Sequence, residues 1–240
     1  PPVEVAGDIL DYVYEVCVIE TFLRNSLVGV GPFFSPELFP ELDVITQSWC
    51  MIRDEVEEVR RRSKLPLLQD VEPSQMWEPG GNWETLLLRI YHVEIEENFR
   101  RFPGLRKLLS GRRDVPTVMI SVLKSGGHIK PHFGYYNGVL RYHLGLVVPS
   151  LPDFPNRLGI RVGSEWATWR EGAAIMFDDC YEHEVFNESE GERIVLFLDI
   201  MRPLRWWPHI LNVLMVHLMR FHPTVLTYER NAPLARHQYE

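Results

Sequence analysis

Between residues 115 and 202 the chain breaks into short apolar runs separated by turn-rich connections. The runs are Val115–Leu123, Val139–Val148, Gly159–Val162, Glu165–Trp169, Ala173–Phe177 and Arg193–Ile200. Runs of this length, recurring every 8–12 residues or so, are the pattern of an all-β sandwich or barrel. Closing them into two facing sheets makes a jelly roll, which needs about eight strands. The expected fold is therefore mainly β (α+β), with a double-stranded β-helix, or jelly-roll, core and helices on both sides. The 240 residues are long for one average domain, but a barrel of this kind often runs so long as a single unit.

We accordingly expect one domain over 1–240, in three zones. Residues 1–65 read as helical. Val5–Arg24 has apolar residues at helical spacing, and Asp43–Arg62 is a second helix with a charged outer face. Gly31–Pro40, with three prolines, reads as a connection. Residues 66–202 hold the jelly-roll core. A strand is expected over Trp83–Tyr91, and a short helix over Ile95–Arg101, ended by Pro103-Gly104. Residues 203–240 return to helix and end in a polar tail. Trp206–Leu218 is the most apolar stretch in that zone. Packing on the core is the preferred reading for it, and contact with a membrane surface the lesser one.

Composition narrows the function. Hydrophobic residues make up 45% and charged residues 24%, as in an ordinary globular protein. The net charge of −8 argues against nucleic acid as a partner, because phosphate contacts need a basic surface. Cys17, Cys50 and Cys180 are odd in number and lack CxxC spacing. That disfavours a disulfide framework or structural zinc site and suits a reducing, cytoplasmic setting. No basic segment followed by an apolar run is visible at the start of the chain.

The chemistry is carried by histidines inside the β zone. His132 sits in PHFG, in the loop before a long apolar strand. His183 sits in FDDCYEHEVF, just past the strand ending at Phe177. A jelly roll can bring two such positions to one barrel mouth. Arg193 then opens the otherwise apolar strand RIVLFLDI. A buried arginine is costly without a partner, and a dicarboxylate would supply one through a bidentate pair. The layout suits a non-haem iron oxygenase. The usual site is two histidines and one carboxylate, written HxD/E. Here the third position is Gly134, so water or chloride must take that place.

The segments SVLKSGGHIKPHFG, LRYHLGLVVP, W-x-x-G-x-x-x-x-FDD-x-x-EHEVF from Trp169, and RIVLFLDI resemble the aspartyl/asparaginyl β-hydroxylase family, in its bacterial-type form. The resemblance implies Fe(II), 2-oxoglutarate and O2 as cofactors, with His132 and His183 as metal ligands. It makes the missing carboxylate at Gly134 a family trait. It places Ser121, Arg141, His143 and Arg193 at co-substrate positions. Asp179 falls where a carboxylate holds a water of the metal site. His128 stays outside the site, and Asp178 reads as a turn residue. Animal peptide hydroxylases carry R-L-R-x-H before HLGL, whereas Val139 stands at the first arginine here. The implied reaction is hydroxylation of an unactivated C–H in a small-molecule or peptide substrate. An aspartyl or asparaginyl β-carbon, free, in a peptide or carrier-bound, is the first choice. The rival readings are a lipid acyl-chain hydroxylase of the same family, a halogenating enzyme, and a non-catalytic metal-binding jelly roll.

Overall fold

A computed structural model describes residues 20–74, 78–134, 136–149 and 157–234. Its centre is two sheets of antiparallel strands. We label the strands β1 (Phe33–Phe34), β2 (Trp83–Ile90), β3 (Val93–Glu94), β4 (Thr117–Leu123), β5 (Gly127–His132), β6 (Val139–Val147), β7 (Leu158–Val162), β8 (Glu165–Ala167), β9 (Ala174–Phe177), β10 (His183–Asn187) and β11 (Arg193–Met201). The larger sheet runs β1-β9-β6-β11-β4-β2-β3, and the smaller β5-β10-β7-β8. From β4 to β11 the chain passes repeatedly from one sheet to the other, which is the jelly roll expected from the spacing.

The helices are α1 (Glu20–Arg24), α2 (Asp43–Gln47), α3 (Trp49–Arg62), α4 (Leu68–Val71), α5 (Glu96–Phe99), α6 (Pro103–Leu108), α7 (Trp206–Met219) and α8 (Pro223–Asn231). Strand alternation decides what each face of the larger sheet meets. Even-numbered residues of β4, β6 and β11, such as Ile120, Tyr142 and Leu196, share one apolar cluster with Ile45, Ile52 and Val56 of α2 and α3. Odd-numbered residues point the other way. Val195 packs with Ile129, Ile160 and Val185 of the smaller sheet. The polar odd positions Ser121, Arg141, His143, Arg193 and Asp199 are thereby gathered inside the roll. Registers bring Val195 opposite Ser121, Phe197 opposite His143, and Asp199 opposite Arg141.

Several expectations are corrected. The helix expected over Asp43–Arg62 is two helices that meet at Ser48. The Ser48 hydroxyl donates to the Val44 carbonyl at 2.7 Å, and such back-bonding competes with helix continuation. Gly31–Pro40 is more than a connection, because Phe33 and Phe34 pair with Phe177 and Met176 at the sheet edge. Pro103-Gly104 opens α6 as well as following α5, with the proline in the first turn where its missing N–H costs nothing. His132 closes strand β5 and is not in a loop, and His183 opens strand β10. The two-sheet roll proper begins at β4, while β2 and β3 extend its larger sheet. Of the helix expected over Val5–Arg24, only Glu20–Arg24 lies among the described residues, and the end of the polar tail lies outside them.

Candidate active site

His132 and His183 are direct partners across the β5–β10 pair. Their ring centroids are 4.1 Å apart. Each Nδ1 is bonded to a carbonyl two residues back on its own chain, Lys130 O at 2.7 Å and Tyr181 O at 3.0 Å. A carbonyl only accepts, so Nδ1 carries the proton in both rings and Nε2 carries the lone pair. A histidine that ligates a metal usually has its other nitrogen held in this way. Burial, then the neighbouring His183, lowers the His132 pKa to about 3. Burial and the Arg141 cation lower that of His183 to about 4. Both rings are therefore neutral near pH 7, the form that binds a divalent ion.

Gly134 lies just beyond His132, and its N–H donates to the Asp179 carbonyl at 2.7 Å. The Asp179 carboxylate fills the space above this glycine: a Cβ there would come within 2.6 Å of Oδ1 and nearer still to Oδ2. Asp179 Oδ2 is paired with Arg141 at 2.7 Å. Oδ1 is buried without a protein partner. Desolvation raises the Asp179 pKa, and Arg141 opposes that rise.

Asp178, Asp179 and Cys180 bring ligand atoms within 4.8 Å of one another. The two carboxylates are nonetheless taken up by Arg202 and Arg141. Burial, reinforced by those carboxylates, pushes the Cys180 thiol far above its usual range, and a neutral thiol is a poor ligand.

Behind the histidines runs a narrow cavity lined by Ser121, His143, Arg193, Trp83 and Phe177. Arg193 is 1% exposed, and burial lowers its pKa to about 9, so it remains a cation at neutral pH. Its Cζ lies 4.7 Å from the Trp169 ring centre. One guanidinium nitrogen donates to Ser121 Oγ at 3.1 Å, while Nε has no partner. No carboxylate pairs with it among the described residues. Trp83 Nε1 donates to the same Ser121 oxygen at 3.0 Å, so the hydroxyl hydrogen is left to donate. Both ring nitrogens of His143 are buried and unpartnered, and burial beside Arg193 and Arg141 keeps this ring neutral. A cation, a hydroxyl donor and a neutral imidazole, each short of partners, can receive one carboxylate-bearing molecule.

A wider cavity of about 480 Å³ opens on the other side of His132 and Asp179. Its walls are mostly apolar, among them Leu87, Ile90, Met119, Val139 and Val225. Arg141 stands where the two cavities meet. Its guanidinium is held by Asp179, by Asp199 at 3.3 Å and by the Phe197 ring at 4.3 Å.

All seven residues expected at the site line one or both cavities. Sequence reading missed Asp199, Trp83 and Trp169. For Asp199 a signal existed, since it is an acid in an apolar strand with the same parity as Arg193. Asp178 is the turn residue expected, its carbonyl accepting from Tyr181 N–H at 3.3 Å and its carboxylate from Cys180 N–H at 3.1 Å, but it also forms a buried ion pair with Arg202 that sequence reading missed. His128 pairs with Glu184 at 2.9 Å on the surface, outside the site as expected.

The sequence profile of the aspartyl/asparaginyl beta-hydroxylase family matches residues 46–203. The chain is 35% identical over 205 residues to an ornithine lipid ester-linked acyl 2-hydroxylase of Rhizobium tropici, covering 85% of this chain and 72% of that protein. It is 29% identical over 164 residues to the aspartyl/asparaginyl beta-hydroxylase of Homo sapiens, covering 66% of this chain but only 21% of the human protein. Among solved structures, a prolyl-4-hydroxylase of Pseudomonas putida aligns over 64% of this chain and 87% of its own, at 15% identity and a TM-score of 0.40.

Proposed function

This chain belongs to the aspartyl/asparaginyl β-hydroxylase family, and on that premise we propose that it is an Fe(II)- and 2-oxoglutarate-dependent oxygenase that hydroxylates the acyl chain of a lipid. The observation that carries the co-substrate reading is Arg193, a buried cation with no carboxylate beside it among the described residues. Burying an uncompensated charge is strongly unfavourable. A bound dicarboxylate removes that penalty, with Ser121 donating to the same carboxylate and His143 close by.

His132 and His183 would hold the iron through Nε2, both rings fixed by their Nδ1 bonds. Asp179 Oδ1 would accept a hydrogen bond from a water of the site. When bound, iron and 2-oxoglutarate together activate O2 and supply the oxidising power to turn C–H into C–OH, releasing succinate and CO2. The protein contributes aim and exclusion. The narrow cavity fixes the co-substrate, and the aromatic rings of Trp83, Phe177 and Phe197 keep water from it.

Two observations support an acyl chain. The wide cavity beside His132 is lined by apolar side chains, as a chain of methylenes requires. The relative from Rhizobium tropici is named for hydroxylation of a lipid acyl group. The second reading, an aspartyl or asparaginyl substrate, is supported by the name of the human relative. It would need a cation for the substrate carboxylate, but Arg141 is committed to Asp179 and Asp199, and position 139 is a valine. The test is anaerobic reconstitution with Fe(II) and 2-oxoglutarate, followed by O2 and either an acyl lipid or an aspartyl peptide. We expect one oxygen atom gained in the acyl chain, with succinate formed in step. Oxygen gain in the peptide alone would establish the second reading instead.

A further inference from the structure

Helix α7 has two apolar faces and uses one of them. Pro208, Asn212 and Val216 are buried, and Val216 packs with Phe22, Tyr136 and Leu204. Asn212 fixes the helix in place, donating to the Gly138 carbonyl at 2.7 Å and accepting from the Tyr136 hydroxyl at 2.6 Å. The opposite face carries Trp206, Trp207, Ile210, Leu214 and Leu218, followed by Phe221, with exposures from 46% to 76%. Their spacing of three and four places lines them up on one side. A contiguous exposed apolar patch marks an interaction surface.

Charge identifies what meets it. The chain as a whole is at −8, yet no Asp or Glu occurs from residue 200 to residue 228. Exposed Arg205 and Arg220 stand at the two ends of α7, and neither pairs with a carboxylate among the described residues. A helix with tryptophans and aliphatics on one face and basic residues at its margins suits an anionic lipid surface, where the side chains reach the boundary of headgroups and acyl chains. A second copy packed face to face would set the arginines against like charge. No helix among the described residues is long and apolar enough to cross a membrane, so α7 would lie on the surface.

The patch also adjoins the active site. Met219, His222 and Val225, at the corner of α7 and α8, line the wide cavity. His222 is exposed, so the cavity reaches the surface at the end of the patch. We propose that the exposed face of α7 docks on a bilayer containing anionic lipid and holds the cavity mouth at the level from which an acyl chain enters. This rests on the lipid reading of the active site.

Flotation of the full chain with phosphatidylglycerol vesicles and with phosphatidylcholine vesicles tests it. Wild type should float with the former and much less with the latter. The exposed triple variant Trp206→Ser, Ile210→Ser, Leu214→Ser should lose on the order of tenfold or more in vesicle affinity. Arg205→Gln with Arg220→Gln should lose the preference for phosphatidylglycerol by about tenfold. Both should melt at the wild-type temperature, since none of these side chains is buried. Equal flotation of wild type and the triple variant, or no flotation of wild type, overturns the docking proposal. So does a concentration-dependent dimer that the triple variant abolishes while wild type fails to float. Activity on detergent-dispersed lipid separates the two claims. Hydroxylation without flotation refutes docking alone, and flotation without acyl hydroxylation refutes the substrate reading alone.

Discussion

The Asp179 carboxylate stands in the space that a side chain at Gly134 would occupy, with Oδ1 2.6 Å from where a Cβ would be. The two residues are also joined through the backbone, Gly134 N–H to Asp179 O at 2.7 Å. The carboxylate is therefore present beside His132, but it comes from the corner before β10 and is tied to Arg141. The absence of a carboxylate at position 134 and the presence of one at 179 are a single steric fact.

Filling that space should be costly. Gly134→Asp is expected to destabilise the fold by roughly 1–3 kcal/mol, as overpacking does, and to lower hydroxylation. Adding Asp179→Gly should recover most of the stability. Urea midpoints of the single and double variants check this, and simple additivity would show that the two side chains do not compete.

His132→Ala and His183→Ala should each abolish metal-dependent activity and reduce Fe(II) affinity beyond detection in a competition assay. One imidazole and water cannot hold the ion against chelation. Melting temperatures should change little for His132, whose ring is partly exposed. Wild-type affinity in either variant would remove that residue from the site.

Arg193 is expected to be held at a cost in stability. Replacing it with Met keeps much of its volume and removes a buried, uncompensated charge. Without co-substrate, Arg193→Met should therefore be more stable than wild type by about 1 kcal/mol or more, while 2-oxoglutarate no longer raises its melting temperature. A less stable variant would mean that Ser121 and Trp169 compensate the cation by themselves.

Asp178 and Arg202 are both fully buried and paired. Arg202 also donates to the Asn137 carbonyl at 2.7 Å, so it ties the end of β11 to the segment before β6 as well as, through Asp178, to the corner that carries Asp179. Asp178→Ala leaves Arg202 uncompensated and should cost about 3–5 kcal/mol. Asp178→Ala with Arg202→Met should be milder. Chemical denaturation of the three proteins reads the difference.

What could be read from the chain follows from where each strand lies. β4, β6 and β11 are covered on both faces, so they stand out as long apolar runs. The polar residues within them, Ser121, Arg141, His143 and Arg193, are conspicuous for the same reason. β5 and β10 form part of the smaller sheet, buried on one face only, and GHIKPH and HEVFN each contribute a single buried hydrophobic side chain, Ile129 and Val185. They do not announce themselves as strands, which is why His132 reads as a loop residue. The turn Tyr91–His92 between β2 and β3 has positive φ at both positions, without the Asn or Gly that usually marks such a turn. The partnering of Asp178 with Arg202 depends on a tertiary contact that no local pattern encodes. The exposed face of α7 is equally illegible, because apolar spacing does not distinguish a face turned to the core from one turned outward.

The central claim is that two histidines hold the metal and Arg193 anchors 2-oxoglutarate behind it. Titrating 2-oxoglutarate into folded, Fe(II)-loaded protein without oxygen tests it most directly. Truncating one partner of a buried charged pair costs about 3–5 kcal/mol, and tenfold in affinity is about 1.4 kcal/mol. Arg193→Ala should therefore weaken binding by on the order of a hundredfold or more, with Fe(II) affinity nearly unchanged. Arg193→Lys should restore only part of the loss, because an ammonium lacks the bidentate fork. A dissociation constant in Arg193→Ala equal to that of wild type would contradict the account.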